Sequence, residues 1–373
     1  MDLTIARNQL TRGLQRVQGI VERRTSNAAL AHVLLGAHGD VLRMSATDTE
    51  LTLVADYPAT IRAEDDLGVD AQHLFQIART LPDQDVHLTT TAGGLVTVRS
   101  GKSVFNLNTL SADEFPPTPR ADRHDGLTVS GAHLRRIIDE SSFAISADEN
   151  RYGLNGAHME IITEQPPGTA ALRMVATDGS RLAYSQVPFE GRLALDRRAL
   201  VPRKALAELR KLVEVDETPW QLAFGDRSLF ARATGVTFIA RLVEGEFPDY
   251  KQVLPETSVR RAEVDRGALT DAMRRVGLVA TDRNHSARFA FSPGALVISA
   301  DNLDHGTGQE ELDILFEGEP FTTGFNLRYF QDLLGPTGGD KIELRMGDVL
   351  DPCIVRLSGR DDCMFIVMPL RLD

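Results

Sequence analysis

Several short stretches of this chain contain residue types that do chemistry. Ser100-Gly101-Lys102-Ser103 has the ending of a phosphate-binding loop. Such a loop needs another glycine five residues before its second one, and a helix to follow. Val96 stands at the first of those places and VFNLNTL, residues 104–110, alternates like a strand, so the stretch reads as a hairpin turn. Ser180 in TDGSR could be a nucleophile, but it lacks a G-x-S-x-G elbow and a histidine at a spacing that suggests a base. Asp48, Asp178 and Asp301 recur in similar places, each at the end of a strand-like run. Recurrent carboxylates suggest metal binding or acid catalysis, yet no second carboxylate or histidine recurs beside them. They read as turn caps that bond their own backbone. Cys353 and Cys363 lack C-x-x-C spacing, and His32, His38, His73 and His87 are scattered, so the pattern yields no metal site. An enzyme needs one constellation of acid, base, nucleophile or metal ligands. The residues supply none, and no cofactor is expected.

The elements around these residues repeat. LRMSATD at 42–48 returns as LRMVATD at 172–178 and, more weakly, as LVISADN at 296–302. Three openings, at 3, 127 and 262, align Ile5, Val129 and Val264, then Leu10, Leu134 and Leu269, then Leu14, Ile138 and Met273. A second set, at 69, 201 and 325, aligns Leu74, Leu206 and Phe330, and Ile77, Leu209 and Leu333. VRSGKSVFNL at 98, RATGVTFIAR at 232 and RLSGRDDCMFIV at 356 close the units, and EFP recurs at 114–116 and 246–248. The period is far above that of solenoids, and each copy is large enough for its own core. Proline-bearing polar stretches near 122–126 and 252–260 divide the chain into domains 1–124, 125–253 and 254–373.

Within a unit, Leu10, Leu14 and Val17 fall on one helical face with Arg12 and Arg16 opposite. VHLTTTAGGLVTV alternates about Gly93 and Gly94, as antiparallel strands do. The fold class is α+β, with two helices per unit packed on antiparallel sheet. The 373 residues are 42% hydrophobic and 25% charged, as in soluble globular proteins, without a membrane-length apolar run. MDLTIARNQL lacks the basic start and apolar core of a secretory signal, and two cysteines suit a reducing cytoplasm.

A formal charge of −12 argues against nucleic acid only on average. The six helical windows sum to about +8, which leaves about −20 for the rest. Helices sharing one face would make that face basic, able to meet phosphates without reading bases. Solvated helix surfaces give the same count, so charge alone leaves both readings open.

RYGLNG at 151–156, VATDGSRLA at 175–183, LVEGEFPDYKQVLP at 242–255 and FIVMPLRL at 365–372 resemble the bacterial DNA polymerase III beta subunit family, the sliding clamps, and the likeness runs over essentially the whole chain. The resemblance implies three clamp domains per chain, with sheets outside and helices inside, closed into a ring as a head-to-tail homodimer around double-stranded DNA. It implies a non-enzymatic processivity role. The partners would be the replicative DNA polymerase, the clamp loader, other DNA polymerases, and repair or ligation proteins, with no membrane. It places a partner-peptide cleft at Leu154, Thr177, Gly179, Ser180, Arg181, Leu182, Pro248 and Val253, with Ile366, Val367, Met368, Pro369 and Leu370 from the last strand. It sets Phe105 and Leu107 against Leu278 and Val279 at the dimer interface, and turns Arg24, Arg151 and Tyr152 toward DNA. Arg12, Arg16, Arg136, Lys204, Lys211 and Arg275 join the DNA-facing set from the helical wheel. The family often has histidine where Ser180 stands, tyrosine where Gly153 stands and a basic residue where Gln252 stands, and Asp373 adds a charge at the end. These departures leave room for a spare clamp with altered partner choice.

Overall fold

A computed structural model describes residues 1–91, 93–118, 126–148, 150–151, 153–164, 169–191, 199–254, 258–280 and 285–371. Among them are six α-helices: α1 (Arg7–Val17), α2 (Ala71–Thr80), α3 (Gly131–Ser141), α4 (Arg203–Leu212), α5 (Arg266–Val276) and α6 (Leu327–Leu334). They coincide with the six windows expected from periodicity. Leu10, Leu14 and Val17 of α1 are fully buried, as the apolar stripe requires. Asp70, Asp265 and Asn326 cap α2, α5 and α6, their side chains accepting from the amides of His73, Ala268 and Arg328.

By contacts the chain divides into two compact units, Met1–Ala132 with Glu190–Ala194 and Lys204–Leu242, and His133–Phe189 with Leu195–Arg203 and Val243–Asp373. Each unit therefore combines one terminal repeat with part of the middle one. The first unit carries a fourteen-stranded sheet, and the second a nine-stranded and a four-stranded sheet. All their pairings are antiparallel, as the short turns imply. Of the expected domain limits, 124/125 lies outside the described residues, and 253/254 falls at the end of the 3₁₀ turn Tyr250–Val253.

One rule of strand pairing joins the repeats inside each unit. The strand after the first ATD phrase, Leu51–Pro58, takes the closing strand of the second repeat, Val236–Arg241, with Leu53 opposite Phe238. The strand after the second ATD phrase, Arg181–Pro188, takes the closing strand of the third repeat, Cys363–Val367, with Ala183 opposite Phe365. Hairpin registers make the two junctions equivalent: Phe238 pairs back to Ala231, and Phe365 to Val355. Both phenylalanines have no exposed surface, which favours each junction by about 1.5–3 kcal/mol per ring. Phe105, opposite Val98, holds the same register in the first repeat.

Among the strands with an open side are residues 103–108 and Gly306–Asp313. Residues 103–108 pair with Leu95–Ser100 on one side, while only 109–111 of that strand reach Leu67–Val69 on the other. Gly306–Asp313 pairs only with Ala295–Asn302. Phe105 is accordingly 39% exposed.

The recurrent aspartates act in turns, with one correction. Asp48 accepts from the amides of Glu50 and Leu51, and Asp178 from those of Ser180 and Arg181. Asp301 instead stays in its strand opposite Thr307, and Asn302 takes the turn role, accepting from the Asp304 and His305 amides. Asn302 is thus the counterpart of the other two, as the alignment of LVISADN with LRMSATD has it, and Asp301 stands in the place of Thr47 and Thr177.

A buried ionic cluster sits in the second unit. Glu140 accepts from Arg360 at 2.6 and 3.1 Å and from Ser185 at 2.6 Å, and Asp362 accepts from Arg360 at 2.8 Å and Arg136 at 2.6 Å. Removing one partner of a buried pair strands the other charge. Arg360→Ala is expected to cost about 3 kcal/mol in urea unfolding. Arg24→Ala, at an exposed residue, should stay within about 0.5 kcal/mol of the parent.

Candidate functional site

The turn TDGSR is built by its own side chains. Thr177 Oγ1 donates to the Arg181 carbonyl at 2.7 Å and accepts from the Gly179 amide, while Asp178 caps the next two amides. Gly179 has φ +88, a left-handed conformation that glycine adopts without strain. Arg181 is held on several sides: Nε to Asp178 at 3.0 Å, Nη1 to Asp332 at 2.6 Å and Nη2 to the Phe143 carbonyl at 2.8 Å. Its guanidinium also lies 4.7 Å from the Tyr329 ring centre. It is a fixed planar cation at the mouth of the cleft, with its rotamer freedom already spent.

Beneath it, Val175, Leu182, Tyr250 and Ile366 form a buried apolar cluster, with Tyr184, Phe247 and Leu254 packed against it. Leu154, Met368, Pro369 and Leu370 are half-buried, and Pro248 and Val253 are exposed. The Met368 amide donates to Ser180, and the Leu370 amide to Gly324, so the chain after the last strand stays in place beside the TDGSR turn. Val367 has no exposed surface and belongs to the strand core, not to the open wall. The TDGSR turn, the apolar cluster and the chain after the last strand thus adjoin within the second unit. Sequence reasoning missed Val175, Tyr184, Phe247, Tyr250 and Leu254. The recurring EFP and the connector phrase around it held the available signal for the last three.

Gly153 departs from the family pattern for a local reason. Its φ is +91, and a Cβ there would come within 2.5 Å of the Glu246 carbonyl oxygen. In this backbone a tyrosine at 153 would have to displace the connector.

The polar underside of the cleft is fully bonded. The Tyr250 hydroxyl donates to Glu160 at 2.6 Å and accepts from Arg173 at 2.9 Å, and Arg173 also donates twice to Gln186. His158 stacks on Phe247 with ring centres 5.1 Å apart. Glu160 is held down at about 2 by the neighbouring His158 imidazole first, then by the Tyr250 hydroxyl and the Arg173 charge, against the opposing effect of burial. Burial, then the Glu160 carboxylate, pushes the Tyr250 hydroxyl up to about 12.

The equivalent place at the first junction is not a cleft. Ser45, Thr47 and Thr52 stand where Val175, Thr177 and Leu182 stand in the second, and all three are buried. Thr47 and Thr52 bond each other at 2.9 Å, and Asp48 pairs with Lys204. Polar contacts hold that junction, whereas apolar packing holds the second.

The basic residues are less free than a helical wheel suggests. Arg12 meets Glu214, Lys204 meets Asp48, Lys211 meets Glu208 at 2.7 Å, and Arg275 makes a bidentate pair with Glu310 at 2.8 Å. Arg16 reaches the Tyr57 hydroxyl at 3.3 Å, and Arg151 donates to the Asp178 carbonyl. Arg24 is exposed and makes no ion pair among the described residues. Arg136 leaves the set: its guanidinium is spent on Asp362 and the Gln186 carbonyl, because α3 packs that side against the sheet. Tyr152 and Asp373 lie outside the described residues.

The remaining chemical candidates resolve as turns and core. Ser100 and Ser103 are opposed across a hairpin whose turn has Gly101 at φ +56. Both cysteines are free and buried, and burial pushes the Cys363 thiol up to about 12. Among the described residues there is no metal-type cluster and no helix long and apolar enough to cross a membrane.

With this geometry in hand, the chain matches the models for the DNA polymerase III beta subunit N-terminal domain at 1–119, central domain at 128–249 and C-terminal domain at 251–371. It is 33% identical to the beta sliding clamp of Caulobacter vibrioides over 100% of both chains. Its structure is similar to that of the Caulobacter crescentus beta sliding clamp with PEG bound to a putative beta-motif tethering region, with a TM-score of 0.93 at 33% identity and 100% coverage of both chains. It is equally similar, with a TM-score of 0.93 at 31% identity and 100% coverage of both, to a sliding clamp from Pseudomonas aeruginosa bound to griselimycin.

A carboxyl depressed in the folded state stabilises it fully above its unfolded value and loses that contribution as pH falls through the folded one. Glu160 therefore steadies the cleft at neutral pH and loses its hold between pH 4.5 and about 2. Glu160→Gln should flatten the acid limb of stability in that window and leave the curve from pH 6 to 8 parallel to the parent's, as read by thermal unfolding at each pH.

Proposed function

The chain belongs to the DNA polymerase III beta subunit family, the beta sliding clamps, non-catalytic processivity factors that tether partner proteins on DNA, and from that premise we propose that two copies close head to tail around duplex DNA with one partner cleft in each. The observation that carries closure is Phe105. Its counterparts Phe238 and Phe365 are fully buried by a strand from the preceding repeat, while Phe105 stands exposed on an unpaired edge. Among the described residues the 103–108 edge and the strand Gly306–Asp313 each lack a partner on one side. A second copy supplies both.

Carrying over the register of the two internal junctions places Phe105 opposite the partner's Gly308, and Asn106 opposite the partner's Thr307. A side chain at Gly308 would come within 2.6 Å of Val279 Cγ2, so the phenyl ring of Phe105 would land on Val279 beside Leu278, which is 79% exposed. Pairing also caps sheet edges that would otherwise invite aggregation. Because the contact is heterologous, closure depends on the angle at each junction, and two three-domain chains provide six.

DNA would be held by topology, with phosphates met by Arg24, Arg12, Arg16, Arg151, Lys204, Lys211 and Arg275. Most of these already face a carboxylate or a neighbouring polar group, so phosphates replace existing partners and the net gain is small. Weak, base-independent, salt-sensitive contact suits sliding. The cleft would serve the replicative polymerase, the clamp loader, other DNA polymerases, and repair or ligation proteins in turn, since an apolar floor with an adaptable methionine accepts related peptides. The same cleft would take griselimycin. The compartment is the cytoplasm.

Leu278→Asp with Val279→Asp is expected to halve the light-scattering mass, and a mass equal to the parent's would sink the closure proposal. Asn106→Cys with Thr307→Cys should give a covalent dimer on mild oxidation. After loading, the protein should stay on circular DNA and run off linear ends at moderate salt; equal retention on both would mean ordinary surface binding. Met368→Glu should weaken griselimycin binding on the order of tenfold or more, about 1.4 kcal/mol, without changing retention on circles.

A further inference from the structure

Residues 245–254 carry part of the cleft wall, Pro248 and Val253, but among the described residues no backbone hydrogen bond from this segment leaves it. Its own bonds are local: the Gln252 amide to the Asp249 carbonyl, the Leu254 amide to the Lys251 carbonyl, and the Lys251 amide to the Asp249 carboxylate. The wall's distance from the strands is therefore set by side chains. Tyr250 is the one that is both buried, at 6% exposure, and polar at its tip.

The surface that receives it is a rail across three strands. Glu160, Arg173 and Gln186 stand opposite one another in register, Glu160 with Arg173 and Arg173 with Gln186. Arg173 is fixed by two bonds to Gln186 and by lying 4.6 Å from the Tyr184 ring centre. The Tyr250 hydroxyl completes the rail, donating to Glu160 at 2.6 Å and accepting from Arg173 at 2.9 Å. Its ring meanwhile packs with Val175, Leu182 and Ile366, the floor of the cleft. Phe247, stacked on His158, gives the segment a second anchor three residues earlier.

We propose that Tyr250 is a positioning residue of the partner cleft: its hydroxyl, docked on the Glu160–Arg173–Gln186 rail, sets the spacing between the wall formed by Pro248 and Val253 and the strand-borne wall, and so sets ligand affinity without that hydroxyl touching the ligand. The role rests on the cleft reading above. It follows from geometry, because a ring held only by apolar contacts can slide along the floor, while a two-bond polar tip allows one position. Loss of the hydroxyl leaves the ring buried and the fold intact, and widens the range of wall positions that a ligand must narrow on binding.

The test measures griselimycin binding by calorimetry on the full-length protein, together with thermal unfolding and retention on circular DNA. Tyr250→Phe is expected to weaken binding about tenfold, or about 1.4 kcal/mol, with retention unchanged. In a Pro248→Ala, Val253→Ala background the same substitution should cost less than about twofold, since the wall it positions is gone. Glu160→Gln, which keeps an acceptor for the hydroxyl, should bind within a few-fold of the parent. Glu160→Leu should lose as much as Tyr250→Phe, and it serves as the replacement variant if Tyr250→Phe fails to fold. Parent-like binding by Tyr250→Phe overturns the proposal. An equal loss in both backgrounds also overturns it, because the tyrosine would then act other than through the wall. Failure of the parent itself to bind griselimycin removes the cleft reading, and with it this one, and is distinguishable from either result.

Discussion

A strand at the edge of a sheet must find partners for its amides and carbonyls, and each such group left buried without one costs about 1–3 kcal/mol. In this chain that need is met by neighbouring repeats. The strand after each ATD turn accepts the closing strand of the next repeat, so sheets run through repeat junctions within both compact units. The buried phenylalanines, the ion cluster at Glu140 and the cleft all lie at or beside these shared strands. The same requirement leaves residues 103–108 and Gly306–Asp313 half-satisfied, and these are the edges that the proposed second copy would pair.

Three copies of one design allow the junctions to be compared with one another. At the first, Ser45, Thr47 and Thr52 are buried and the Asp48–Lys204 pair closes the surface. At the second, Val175 and Leu182 replace serine and threonine and join a buried apolar cluster. At the third position the corresponding strand, Gly306–Asp313, ends the sheet. Backbone geometry is common to all three, and side-chain polarity distinguishes the first junction from the second. Burying a hydroxyl obliges it to find a local partner, whereas apolar groups gain by excluding water with whatever shape fits.

Electrostatics shows a similar division. The chain is acidic overall at −12, with its positive charge concentrated in the helices. Carboxylates such as Glu214, Glu208 and Glu310 lie against that charge. Paired surface ions add little stability, but they temper the field, which favours a mobile grip over a tight one.

The sequence by itself determined the repeat and the six helices, because these follow from local periodicity and from phrases that recur along the chain. It also excluded the chemical alternatives, since SGKS lacks the glycine and helix that a phosphate loop needs. Only the tertiary structure decided what depends on contacts between distant segments. It showed the third turn capped by Asn302, with Asp301 still paired in its strand. It withdrew Arg136 from the basic face, because Asp362, 226 positions away, claims its guanidinium. It also added Tyr250 to the cleft through Glu160 and Arg173, residues on strands that no helical wheel or local motif connects to it. Periodicity assigns a side chain to a face of its own element, while the partner it meets there is set by how the elements pack.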